Sequence, residues 1–227
     1  MHHSEEVVVA TDEESQKQDP SSSCGLLRMT IVFSVLNFLS ISCSGADKSL
    51  VDVQKINPRI RFDIRYATSD NFMKEPLYAE ARCFLRPEVA EKISRIQGRL
   101  EKKGLGLKIF DGYRPLSVQK KMWARFPVEG YIANPVKGSN HNRGAAVDLT
   151  LVDSSGNELP MPSAYDEFSE RSHRDYMKTS PEAIKNRSIL EEEMAKEGFK
   201  GISTEWWHFD DKEAKKYPVL DVQFSEL

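Results

Sequence analysis

The chain has 227 residues, 32 Lys and Arg against 35 Asp and Glu, and a net charge of −3. That length buries one full core and crowds a second, and so balanced a charge carries no electrostatic footprint for nucleic acid. The three cysteines, Cys24, Cys43 and Cys83, form no C-x-x-C pair, which excludes a thiolate zinc site and a disulfide framework, so any bound metal must rest on His and carboxylate.

The leader, residues 1–28, is rich in Ser, Glu, Asp and Gln without apolar periodicity. It reads as disordered, and as untranslated if synthesis starts at Met29. An apolar run from Ile31 to Ile41 follows, with Ser42-Cys43-Ser44-Gly45 behind it. The run is too short to span a bilayer comfortably and has the form of a secretory h-region. Cys43 sits where a lipoprotein signal places its acylated cysteine. The alternative is a buried helix, but no amphipathic face is present. Residues 29–45 are therefore expected to direct export, to the periplasm or to a membrane-anchored lipoprotein of a bacterium, with a cytoplasmic enzyme as the alternative. Residues 46–227 are expected to form one catalytic domain.

Within that domain Ile60 to Tyr66 alternates apolar and polar residues, the period of a half-buried strand. Val89, Ile93, Ile96 and Leu100 share one helical face, framed by Pro87 and Gly104. Leu107 to Phe110 reads as a strand entering the turn Asp111-Gly112-Tyr113-Arg114-Pro115, and Ser117 to Phe126 as a helix. Pro127 to Asn140 is loop-like. Ala145 to Val152 is a strand, and Pro181 to Gly198 a helix capped by Ser180. Trp206 to Phe209 is β-prone. Strands and helices mix without a βαβ rhythm, which predicts an α+β fold with a mainly antiparallel sheet and flanking helices.

Three segments carry candidate chemistry. Asp148 lies inside an otherwise apolar strand, where a carboxylate is costly unless paired or metal-bound, and His141 stands at the loop entering that strand. Taken alone, the pair is also compatible with a loop His and a solvent-facing Asp. His208, among large apolar residues, could be a satisfied core histidine, but Glu205 three residues earlier is the kind of carboxylate a catalytic metal needs near its water. Residues three apart on an ideal strand face opposite ways, so a bulge or turn at Trp206-Trp207 is required to unite them. Arg114, in a tight turn after a buried strand, is either a surface residue bonding loop carbonyls or a permanent cation aimed at substrate or oxyanion. Together, two His and one Asp complete a three-ligand zinc site with one open position.

Ser139 to Asp148 reads S-x-H-x-x-G-x-A-x-D and Glu205 to His208 reads E-x-W-H. These segments resemble the zinc D,D-peptidases related to D-alanyl-D-alanine dipeptidase. Y-A-T-x-x-N-F at Tyr66 to Phe72, D-G-Y-R-P at Asp111 to Pro115 and E-R-S-H at Glu170 to His173 bring the likeness closest to the dipeptidases themselves. The resemblance implies one zinc per chain on His141, Asp148 and His208, with Glu205 as catalytic base and Arg114 stabilising the tetrahedral intermediate. It further implies that Asp166 receives the substrate ammonium, that Tyr66 and Ser139 line a small pocket, and that the fold is the one shared with hedgehog signalling domains. The expected reaction is hydrolysis of D-alanyl-D-alanine in cell-wall peptide metabolism, with a small D-amino-acid dipeptide as partner. The alternatives are a D,D-carboxypeptidase or L-alanyl-D-glutamate peptidase acting on wall peptides, and a non-catalytic zinc-stabilised binding domain.

Overall fold

The computed structural model describes residues 49–227, which fall within one compact unit, residues 44–227. The expected leader at 1–28 and the export segment at 29–45, with Cys43, lie outside the described residues. Among the described residues no helix is long and apolar enough to cross a membrane.

In chain order the elements are β1 (Val51–Asp52), α1 (Val53–Ile56), β2 (Arg61–Phe62), β3 (Phe84–Leu85), α2 (Pro87–Glu101), β4 (Leu105–Asp111), α3 (Leu116–Arg125), β5 (Ala146–Asp153), α4 (Pro181–Lys196), β6 (Phe199–Ile202) and β7 (Glu205–Asp211). A five-stranded sheet runs β2-β4-β5-β7-β6, and β1 pairs with β3 separately. Only the β2–β4 pair in the larger sheet is parallel, so the expected α+β architecture with a mainly antiparallel sheet is what forms.

Local sequence explains most of these elements. Pro87 sits in the first turn of α2, where a missing N–H costs nothing, and Val89, Ile93, Ile96 and Leu100 are fully buried along its inner face. The Ser180 hydroxyl accepts from the Ala183 N–H at the start of α4, as an N-cap should. Both helices pack against the sheet and each other, α2 on β4 and α4 on β5 and β6. The buried Arg86 guanidinium joins distant segments, donating to the carbonyls of Ser49, Arg143 and Pro218.

Two expectations need correction. The strand read from Ile60 to Tyr66 is only Arg61–Phe62, and Arg65–Ala67 forms a 3-10 turn. The edge strand pairs with β4 at Arg61 and Phe62 alone, and beyond them the chain turns so that Tyr66 is buried. The hairpin strand β6 was not expected; Phe199 to Ile202 is too short and too mixed for a periodicity to register.

Candidate active site

His141 opens a 3-10 turn, His141–Arg143, on the loop leading into β5. Asp148 and His208 are directly opposed in the β5–β7 ladder, which sets their side chains on one face. Glu205 reaches that face because β7 bulges. Gly201 of β6 pairs with Phe209 while the next residue, Ile202, pairs with Glu205, so the ladder skips Trp206 to His208. This is the irregularity that the Glu205–His208 spacing required.

Three donor atoms converge. His141 Nε2 lies 3.1 Å from His208 Nδ1, Asp148 Oδ1 lies 3.1 Å from His208 Nδ1, and His141 Nε2 lies 3.3 Å from Asp148 Oδ1. A tetrahedral ion with ligands at about 2.0–2.1 Å has edges of about 3.3–3.4 Å, so the triangle is close to one face of such a site. The remaining polar atoms of each group are committed elsewhere, which aims the free lone pairs inward. His141 Nδ1 donates to the Gly112 carbonyl at 2.7 Å, His208 Nε2 donates to Asp210 Oδ1 at 3.0 Å, and Asp148 Oδ2 accepts from Tyr165 Oη at 3.1 Å. Gly112 is needed for the first of these, since a Cβ there would come within 2.6 Å of Cys83 Sγ.

The electrostatics ask for a cation. Burial disfavours the charged form of Asp148, but the His141 and His208 rings outweigh it and hold the carboxyl well below its usual range. Burial likewise opposes a charged His208, yet Asp148 and Asp210 lift its pKa to about 10. Neutral imidazoles and carboxylate oxygen are suitable metal donors, and the residues present fit a metal ion.

Glu205 is buried, with Oε2 3.9 Å from His208 Nδ1. Burial raises its pKa to about 8, His208 working against the shift and Asp148 and Asp166 adding to it. Arg114 is fixed rather than free: its Nε and Nη2 donate to Asp111 Oδ2 at 3.1 and 2.6 Å, and Nη1 to Gln119 Oε1 at 2.9 Å. Its guanidinium stands 5.2 Å from the centre of the Tyr66 ring. Asp166 adopts a left-handed backbone, φ 59°. Its Oδ1 accepts from Tyr66 Oη at 3.1 Å, while the buried Oδ2 has no hydrogen-bond partner. Burial, with the Asp148 charge, pushes its pKa to about 8. The Ser139 hydroxyl accepts from the His141 N–H at 3.2 Å.

One cleft of about 320 Å³ is lined by all the residues singled out in the sequence, Tyr66, Arg114, Ser139, His141, Asp148, Asp166, Glu205 and His208. Such a volume suits a small ligand. Sequence reasoning missed Asp210, although residues two apart on a strand share a face and His208-x-Asp210 carried that signal. It also missed the tie from Tyr165 to Asp148, which joins two segments 17 residues apart, and the Asp111 anchor of Arg114, a local contact within the Asp111–Pro115 turn.

Comparison with known proteins gives a consistent set of matches. The sequence profile of the M15 peptidase family, described as D-ala-D-ala dipeptidase, matches residues 46–227. The D-alanyl-D-alanine dipeptidase of Escherichia coli K12 is 40% identical over 176 residues, covering 78% of this chain and 91% of that protein. That of Enterococcus faecium is 34% identical over 66% of this chain and 85% of its own length. That of Streptomyces coelicolor is 32% identical over 76% and 95%.

Proposed function

The chain belongs to the D-Ala-D-Ala dipeptidase family of M15 peptidases, and from that premise we propose that it is a zinc metallopeptidase cleaving free D-alanyl-D-alanine to D-alanine. The observation that carries the substrate choice is the buried, unpartnered Oδ2 of Asp166 in the same cleft as the donor triad. A carboxylate oxygen left without a donor is costly, and a substrate ammonium supplies both charge and N–H groups.

His141, Asp148 and His208 would hold zinc, which supplies a Lewis acid and an acidified water. Glu205 takes a proton from the attacking water and returns it to the leaving amine as the C–N bond breaks. Arg114, locked by Asp111 and Gln119, offers fixed positive charge to the oxygen on which negative charge develops. Asp166 and Tyr66 hold the ammonium, and Ser139, bonded to the His141 backbone, borders the reacting bond.

We place this work outside the cytoplasm, on dipeptide released during wall turnover. The apolar run from Ile31 to Ile41 followed by Cys43 supports export and anchoring through that cysteine; N-terminal sequencing and fractionation of the mature protein test it.

The experiment for the reaction compares D-Ala-D-Ala, its N-acetylated form and a muropeptide, with and without chelator. Free dipeptide should be cleaved far better than the acetylated form, since acetylation removes the cation and leaves Asp166 unpaired, a loss of about 2–5 kcal/mol. Asp166→Ala should narrow that gap by weakening cleavage of the free dipeptide. Equal rates, or a preference for the blocked substrate, would point to a carboxypeptidase. Chelator-sensitive folding without turnover would point to a binding domain.

A further inference from the structure

A carboxylate meets a metal ion through one oxygen or through both, and the choice decides how many positions remain. His141, His208 and one oxygen of Asp148 make three donors, which leaves a tetrahedral ion one place for water. Both oxygens of Asp148 would make four and fill that place. The fold separates the two oxygens. Oδ1 meets the imidazoles, 3.1 Å from His208 Nδ1 and 3.3 Å from His141 Nε2. Oδ2 accepts from Tyr165 Oη at 3.1 Å, and among the described residues neither Oδ2 nor Oη has another hydrogen-bond partner.

Tyr165 is not among the residues that line the cleft, so its role is toward Asp148 rather than toward substrate. Its ring stacks on Phe110 of β4, centroids 4.5 Å apart at 20°, and meets Trp207 of β7 edge-on at 5.4 Å. These are the strands on either side of β5, which carries Asp148. Phe110 precedes Asp111, the residue paired with Asp148 in the β4–β5 ladder, and Trp207 precedes His208. The strands that set the donors therefore also set the ring. Packing alone asks for no hydroxyl here, since a phenylalanine would bury the same ring. A buried phenol oxygen without a partner is costly, and Asp148 is only 3% exposed, so each group satisfies the other where water has little access.

On the metallopeptidase reading above, we propose that Tyr165 is a positioning residue. Its hydroxyl holds Asp148 to a single donor oxygen and so keeps one coordination place open for the water that Glu205 deprotonates. Without that hydroxyl Oδ2 is buried and unpartnered, which costs the full desolvation of the group, and the metal held by Oδ1 becomes its partner instead.

The test uses the full chain loaded with cobalt(II), whose visible bands report coordination, and Tyr165→Phe, which removes one oxygen and keeps the ring. Azide, a small anion that occupies an open coordination place, should shift the bands of the wild-type protein. The variant should need about 10–100-fold more azide for the same shift, the usual size of the effect when a metal ligand loses its support. Chelator competition should show the variant holding zinc and cobalt at least as tightly as wild type, while turnover of D-Ala-D-Ala falls by about 10–100-fold. Incorporating 4-aminophenylalanine at position 165 returns an N–H donor to the same place and should restore azide binding. Equal azide affinity in wild type and Tyr165→Phe would overturn this assignment alone. So would a variant that loses metal in proportion to activity, since Tyr165 would then serve metal affinity and not the open place. A wild-type chain that takes up neither metal would overturn the metallopeptidase reading and this inference with it.

Discussion

Asp148 sits among Val147, Leu149 and Leu151, all fully buried, and a carboxylate there is tolerable only because two imidazoles meet it at 3.1 and 3.3 Å. The same geometry divides the roles of the neighbours. His141 contributes a donor atom to the triangle, whereas Glu205 lies outside it, 3.9 Å from the nearest ring nitrogen. His141→Ala should therefore cut bound metal from about one equivalent to a small fraction, measured by elemental analysis after dialysis, since two donors hold such ions poorly. Glu205→Gln should keep its metal and lose about 10²–10⁴-fold in turnover, the usual worth of a positioned acid–base group. Metal loss from the second variant would mean that Glu205 is a ligand after all.

At the scale of elements, the β7 bulge is the feature on which the site depends, and Arg174 occupies it. Its Nε donates to the Ile202 carbonyl at 2.8 Å and its Nη2 to the His208 carbonyl at 2.5 Å, bridging the two sides of the irregular ladder. The guanidinium lies 4.3 Å from the Phe209 ring centre, and burial lowers its pKa to about 10, still charged at neutrality. Gly201 makes room for it: a Cβ there would lie 1.9 Å from Arg174 Cζ. The E-R-S-H segment just before Arg174 serves the same region, since the Ser172 hydroxyl donates to the Thr204 carbonyl at 2.9 Å, directly before Glu205. Gly201→Ala should expel the guanidinium and destabilise the protein by about 1–3 kcal/mol, as overpacking does. Thermal unfolding should shift down by about 2–4 °C per kcal/mol, and metal retention should fall with it because His208 moves. An unshifted midpoint would show that the bulge does not need its clamp.

Across the whole molecule, α2 and α4 are joined by a buried ionic cluster remote from the cleft. The Glu193 side chain, 1% exposed, accepts from Arg99 Nε at 2.9 Å, Lys103 Nζ at 2.6 Å and Lys196 Nζ at 2.8 Å. Burial opposes its charge, but these cations hold its pKa down to about 2 against an ordinary 4.5. The folded state therefore binds this proton less tightly than the unfolded one. The stabilisation is complete above pH 4.5 and is lost as pH falls toward 2. Glu193→Gln should cost about 1–2 kcal/mol at neutral pH, less than a fully buried pair because both lysines are half-exposed. Denaturant titrations across pH should show wild type and variant converging in that acid window. A difference independent of pH would assign the loss to packing instead.

Periodicity and capping made α2, α3, α4, β4 and β5 legible in the sequence, because each depends on neighbours within a turn or two of chain. The residue types of the site were legible for a related reason. A carboxylate in an apolar strand, a His entering it and a Glu near a second His are costly in isolation and mark themselves out. What the chain pattern could not state was placement. Arg61 and Phe62 pair with β4 while Tyr66 turns away into the cleft, and the bulge that unites Glu205 with His208 needs an arginine 31 residues upstream of Glu205 to fill it. Asp166 reveals its unpartnered oxygen only once Tyr66, 100 residues distant, has taken the other one. Local propensity acts over a few residues, whereas burial, charge pairing and ladder register join segments by closeness in space, and only the folded chain decides which segments those are.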